Sequence, residues 1–164
     1  MNTNVKSAKI INLCSAPHFR DEVVRQNHDE WADTIDMDFK TMSTLFSVDQ
    51  PDNVLPVTLI ALIDDRYAGC GSLREAPLGV HKYPEAYHDD KPWLSNLWVA
   101  EWARGQKLAT RLVAAIEDEV RRLGFKAMYI STFVENSLYD QMGYKEVSNS
   151  FLKDKPLRSL RRAL

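Results

Sequence analysis

The sequence predicts an α/β (α+β) domain, a mixed central sheet flanked by helices, on three observations. Residues 93–99 (WLSNLWV) form a short apolar run, rich in aromatic and branched side chains and too short to span a membrane, as a buried central strand requires. The run breaks into a tight turn that opens, after Ala103, into an amphipathic helix. There Leu108, Leu112, Ile116 and Val120 recur every fourth residue, and Ala109, Val113, Ala115 and Leu123 widen the stripe before Gly124 closes it. An antiparallel hairpin precedes this unit at 57–75 and more strands follow it, so the sheet is mixed.

From the N-terminus, 9–13 is an apolar run expected as the first strand. Ser15 and Pro17 offer an N-cap and a first-turn proline for a helix to about residue 31. A second helix is expected over 35–48, with Ile35, Phe39, Met42, Leu45 and Phe46 on one face. Between 21 and 38 the acids Asp21, Glu22, Asp29, Glu30, Asp33, Asp36 and Asp38 face only Arg25, the pattern of a solvated acidic face. After a turn-rich linker at 51–56, strand 57–63 turns at Asp64-Asp65-Arg66 and returns as 67–75. Gly69 and Gly71 there imply a bulge or a close backbone approach. Residues 76–92 form a long polar loop carrying His81, Glu85, His88, Asp89 and Asp90. Residues 126–132 alternate as a strand, a short helix covers 136–142, Gly143 turns the chain, and 144–151 is a strand. The end, KDKPLRSLRRAL, is expected as a solvated basic terminus.

A chain of 164 residues suits one domain, 1–164, with a single core. A net charge of -2 and a pI near 6.1 argue against nucleic-acid binding. The absence of a basic-then-apolar leader and of any membrane-length apolar stretch implies a cytoplasmic protein with no membrane partner. Cys14 and Cys70, alone and without clustered histidines, imply neither disulfide nor metal, and Cys70 reads as a buried structural thiol.

The turn Arg104-Gly105-Gln106-Lys107-Leu108-Ala109-Thr110 presents helix N-terminal N–H groups, where an anion is stabilised, and adds the cations Arg104, Lys107 and Arg111. It reads as a phosphate cradle or as a solvated basic helix start. The G-x-x-x-x-G-K-[ST] spacing of nucleoside triphosphate sites is absent.

At these residues the chain resembles the GNAT family of acyl-CoA N-acetyltransferases, whose Q/R-x-x-G-x-G/A signature holds the pyrophosphate of acetyl-CoA. Arg104 stands at its first position and Ala109 at its last, while Lys107 occupies the position of the central glycine. Leu97-Trp98-Val99 is similar to the family's L-x-V, and Leu138-Tyr139-Asp140-Gln141-Met142-Gly143-Tyr144 to its F/L-Y-E-x-x-G-F/Y. The resemblance covers about 57–147. It implies a strongly twisted sheet with acetyl-CoA between diverging central strands, the pantetheine arm on the backbone of Leu97, Trp98 and Val99, and the pyrophosphate on Arg104 to Thr110. It further implies Tyr139 as proton donor to the departing thiolate, where a core aromatic is the bland alternative. Thr132 stands where many members carry a cofactor-contacting asparagine.

The expected reaction is direct acetyl transfer in a ternary complex to a primary amine, with no metal. The acceptor expected is a small molecule carrying extra positive charge, because the acids of 21–38 and Glu85, Asp89 and Asp90 flank the acceptor side in the family layout. A protein N-terminal or lysine acetyltransferase and a non-catalytic acyl-CoA-binding domain are the rival readings. The general base stays open among Glu75, His88, Asp89, Asp90 and water, and the oligomeric state stays open too, a homodimer included.

Overall fold

A computed structural model of the chain describes residues 7–164, and the first six residues, part of the stretch read for a leader, lie outside it. Seven strands make one sheet: β1 (Lys9–Asn12), β2 (Val57–Ile63), β3 (Arg66–Arg74), β4 (Trp93–Val99), β5 (Ala127–Thr132), β6 (Lys145–Leu152) and β7 (Lys155–Ala163). Their order is β1-β2-β3-β4-β5-β7-β6, antiparallel throughout except for the parallel β4–β5 pair. Four helices accompany them: α1 (Arg20–Ile35), α2 (Phe39–Thr44), α3 (Leu108–Arg122) and α4 (Leu138–Gln141).

Strand β2 shows why the sheet carries helices on both faces. Every residue of VTLIALI is buried, and alternate side chains enter different cores. Val57, Leu59, Ala61 and Ile63 pack into the cluster that holds Leu108, Leu112, Ile116 and Val120 of α3. Ile60 and Leu62 pack with Val23, Val24 and Ile35 of α1 and with Met42 of α2. The fourfold spacing that predicts α3 is therefore its core face, and truncating wholly buried Leu112 or Ile116 to alanine costs about 2–5 kcal/mol.

Glycine at 69 and 71 answers a close approach. A Cβ at Gly69 would stand 2.6 Å from the Trp98 carbonyl oxygen, and one at Gly71 would stand 2.7 Å from Ile116 Cδ1.

Three expectations are corrected. Helix α1 begins at Arg20, after a 3-10 turn at Pro17–Phe19, so Ser15 does not cap it. It runs on to Ile35, where Asp36 adopts a left-handed conformation and ends it. Ile35 thus belongs to α1, and the second helix shrinks to α2, capped by Asp38 Oδ1 accepting from Thr41 N at 2.8 Å. The basic terminus is β7, inserted between β5 and β6. Leu157 and Leu160 are buried there, Arg158 and Arg162 lie along the sheet with their heads on acids, and Arg161 donates to the Tyr129 hydroxyl. Arg162 Nη1 is 2.9 Å from Glu117 Oε1, and Arg158 reaches both Asp140 and Glu146.

Candidate active site

Strands β4 and β5 pair only at Trp93 with Tyr129 and Leu94 with Ile130, and beyond that point the sheet forks. A bulge drives the fork. Ser95 stands opposite Ser72 and Trp98 opposite Cys70, so Asn96 and Leu97 together face Gly71, with Asn96 at φ 49°. The backbone of Leu97, Trp98 and Val99 is left without a partner strand on its β5 side, a free edge that can pair with an extended ligand.

A cavity of about 290 Å³ opens at this fork. Leu94, Ser95, Asn96 and Leu97 line one wall, and Ile130, Ser131, Thr132 and Tyr139 the other. Trp31, Thr34 and Ile35 of α1 join them with Leu78 and Tyr87 of the long loop and Leu152 and Leu157 of the β6–β7 hairpin. Of the residues expected from the sequence, Leu97, Thr132 and Tyr139 meet on this wall. Thr132 Oγ1 accepts from Val134 N at 3.1 Å. Trp98 instead stacks on Tyr67 at 5.6 Å, so only its backbone serves the fork.

Tyr139 sits on α4, whose start is fixed by a capping box. Ser137 Oγ accepts from the Asp140 backbone, and Asp140 Oδ2 accepts from Ser137 N at 2.7 Å. Arg158 of β7 holds the same carboxylate at 2.8 Å and keeps it well below the usual carboxylate range. Burial pushes the Tyr139 phenol up to about 12. Its ring packs edge-on against Tyr144 at 6.1 Å.

At the end of β4 a 3-10 turn (Glu101–Ala103) leads to Arg104, whose Nε donates to the Val99 carbonyl at 3.2 Å. Gly105 is left-handed at φ 80° with open space around its Cα, and Lys107 is left-handed at φ 56°. Lys107 thus keeps the backbone conformation suited to glycine while carrying a side chain. Arg104, Gly105, Gln106 and Lys107 are exposed, Leu108 is buried in the core, and Ala109 and Thr110 are half-buried in the first turn of α3. The leading N–H groups of α3, with no side-chain cap on them, point where an anion is stabilised. Arg111 turns away, donating to the Ala8 carbonyl at 2.8 Å. The residues present therefore suit a CoA group, with an anion seat at α3, open space at Gly105 and a free strand edge leading into the fork.

The acids lie elsewhere. All seven between Asp21 and Asp38 are exposed and none lines the cavity. Lys153 and Tyr83 hold Asp36 below its ordinary range. Among the base candidates, Glu75 pairs with Lys91 at 3.5 Å, and Asp89 and Asp90 are exposed. His88 packs against Trp93 at 4.6 Å and Tyr129 at 4.9 Å. None of the four reaches the cavity wall. Cys70 is wholly buried and its thiol is pushed up by burial, as suits a structural residue.

The profile of the acetyltransferase (GNAT) family matches residues 17–144, and the chain belongs to that family. An aminoglycoside 6'-N-acetyltransferase complexed with coenzyme A shares the fold, with TM-score 0.67 and 18% identity over 94% of this chain and 96% of that one. So does an acetyltransferase of the GNAT family from Streptococcus pneumoniae, with TM-score 0.68 and 13% identity over 96% and 99% of the two chains. A third is an acetyltransferase from Thermus thermophilus, with TM-score 0.64 and 14% identity over 98% and 99%. No curated protein sequence matches the chain significantly. Among the described residues no helix is long and apolar enough to cross a membrane.

Proposed function

We propose that the chain is an N-acetyltransferase that moves the acetyl group of acetyl-CoA to a primary amine, with 1–164 acting as one catalytic domain. The observation that carries this reading is the fork between β4 and β5, with the α3 N-terminus at its outer end and Tyr139 on its inner wall. The aminoglycoside acetyltransferase that shares the fold, an enzyme acting on amines, supports the acceptor class.

Acetyl-CoA, when bound, supplies an acyl thioester whose C–S bond breaks as the acceptor nitrogen forms its C–N bond. The residues Arg104, Gly105, Gln106, Lys107, Leu108, Ala109 and Thr110 hold the pyrophosphate, chiefly through α3 N–H groups. The free edge of Leu97, Trp98 and Val99 would hold the pantetheine arm, and a β4 N–H donating to the thioester oxygen would stabilise developing negative charge. Thr132 lies across the fork from that edge. Tyr139 keeps its proton at neutral pH and delivers it to the leaving sulfur. With no carboxylate or imidazole on the wall, the ammonium proton of the acceptor leaves through water. The exposed acids of α1 act on a cationic acceptor only as a field, screened beyond about 8 Å at physiological salt.

The same bare wall favours one rival, an acyl-CoA-binding domain without turnover. CoA release from acetyl-CoA, followed over polyamines, amino acids, aminoglycosides and short peptides, separates the two. Turnover with any amine supports the enzyme. Tight CoA binding with no turnover across the panel refutes it.

A further inference from the structure

Behind the cavity wall, the apolar packing of α1 on β3 is joined by a cluster of polar groups that reaches the β4 bulge. Gln26 Oε1 accepts from Tyr67 Oη at 2.9 Å and lies 3.5 Å from Cys70 Sγ. Asn27 donates to the Val23 carbonyl at 2.8 Å, and Cys70 Sγ is 3.6 Å from the Asn96 carbonyl. Arg74, at the end of β3, is only 5% exposed. Its Nη1 donates to the Leu45 carbonyl at 3.0 Å, Phe46 covers its plane at 4.8 Å, and its Nε is 3.5 Å from Asn96 Oδ1.

Every partner of that guanidinium is neutral. The Cys70 thiol of the same strand is pushed up by burial and carries no charge at neutral pH. Burial pulls Arg74 down to about 10, which leaves it a cation. A buried charge without a counter-ion is among the costliest arrangements in a core, and Arg74 Nη2 has no hydrogen-bond partner besides. Two further N–H donors on α1, Gln26 Nε2 and Trp31 Nε1, are buried and unpartnered, and on that helix one acceptor, Asn27 Oδ1, is orphaned with them. With Arg74 Nη2 they make three orphan donors, one of them on a cation, and such a set suits an anion. Trp31 and Asn96 belong both to this cluster and to the cavity wall.

We propose that Arg74 and the Trp31 indole N–H receive a carboxylate of the acceptor, which makes the substrate class amines that carry a carboxylate, such as amino acids and their derivatives. This rests on the N-acetyltransferase reading and narrows it. Arg74 itself does not line the cavity, whereas Asn96, in contact with its Nε, does, so the carboxylate reaches the guanidinium by displacing the Asn96 side chain. The contact given up, at 3.5 Å, is at the long limit of a hydrogen bond, whereas an arginine–carboxylate pair is charge-assisted and often bidentate. The exposed acids of α1 oppose the choice, since their field favours the acceptor with the larger positive charge, so a preference for the carboxylate has to come from a local contact.

Lysine and cadaverine differ only by that carboxylate. Calorimetry on the full chain saturated with CoA measures their affinities, and CoA release from acetyl-CoA measures kcat/KM for each. Lysine is expected to bind about tenfold or more tightly, with the difference in KM rather than kcat. The ratio should collapse toward one in Arg74→Met and shrink in Trp31→Phe, which keeps the ring and removes the donor. Equal binding, or tighter binding of cadaverine, overturns the proposal even if Arg74→Met fails to fold, and so does a lysine preference that survives in a folded Arg74→Met. Carboxylate-dependent binding without turnover of either amine upholds the anion site, and the acetyltransferase reading then falls only if the wider amine panel gives no turnover as well.

Discussion

Replacing Arg158 with methionine tests how β7 holds the helix that carries Tyr139. One guanidinium makes four hydrogen bonds: Nη2 to Asp140 Oδ1 at 2.8 Å, Nη1 to Asp140 Oδ2 at 3.1 Å, Nη1 to the Val134 carbonyl at 2.8 Å, and Nε to Glu146 Oε2 at 2.7 Å. Hydrogen bonds to charged groups contribute about 1.5–3 kcal/mol each when water cannot replace them. Here Arg158 is 16% exposed while Asp140 and Glu146 are 26% and 37% exposed, so water recovers a large part. A net loss of about 2–4 kcal/mol is expected at pH 7, seen as a fall in Tm of roughly 4–16 °C. The Asp140 carboxyl is held low chiefly by Arg158, so this stability is present above the ordinary carboxylate pKa and disappears as pH falls through and below it. The difference between wild type and Arg158→Met in urea unfolding should therefore be full at pH 7 and narrow below about pH 4. Loosening α4 should also lower kcat about tenfold while acetyl-CoA affinity holds. A variant within about 0.5 kcal/mol of wild type at pH 7, the range of an ordinary surface substitution, would refute the reasoning.

Tyr139→Phe should lower kcat by about 10² to 10⁴ with acetyl-CoA affinity unchanged. Because burial raises that phenol to about 12, the wild-type pH profile should show no falling limb from it below about pH 11, and a limb near pH 9 that vanishes in Tyr139→Phe would contradict the assignment. Arg104→Ala should weaken acetyl-CoA binding about tenfold by calorimetry, and unchanged affinity would remove Arg104 from the site. Lys107→Gly relieves a left-handed side chain worth about 1–2 kcal/mol, offset by about 0.4–1 kcal/mol of chain entropy, so unfolding should show a gain of about 0.5 kcal/mol. Weaker acetyl-CoA binding in that variant would mark Lys107 as a phosphate contact, and equal or tighter binding would mark it as a tolerated strain.

The β4–α3 unit was legible because both periods are local: an apolar run of strand length, then four residues in register every fourth place. The bounds of 57–63 and 93–99 match the strands, and the helix begins within the junction expected at 104–110. Strand β7 was not legible, because Arg158, Arg161 and Arg162 look solvated until Asp140, Tyr129 and Glu117, distant in sequence, are placed beside them. The second helix was overextended for a local reason, the left-handed Asp36, which an apolar pattern does not report. The cavity wall defeats any window, since Trp31, Leu78, Leu97, Thr132 and Leu157 come from five separate elements. Arg74 did leave a signal, a lone cation closing the otherwise apolar RYAGCGSLR beyond its first residue. Its weight became visible only once no acid stood beside it.

In the proposed reaction the wall has a chemical consequence as well as a structural one. A phenol near 12 is a poor acid toward a hydrated thiolate, whose pKa is near 8.5, and the transfer would run uphill by about 5 kcal/mol. Desolvation raises both groups, however, because it disfavours the charged form of each. Cys70, wholly buried one strand away, is displaced in the same direction as Tyr139. A sulfur leaving inside the fork would be bordered by Leu94, Leu97, Ile130, Leu152 and Leu157, and as those side chains displace water its proton affinity would climb toward that of the phenol. The two approach a match only while water is kept out. Polar substitutions at Leu97 or Ile130 should then slow the chemical step while leaving the cofactor seat at α3 in place.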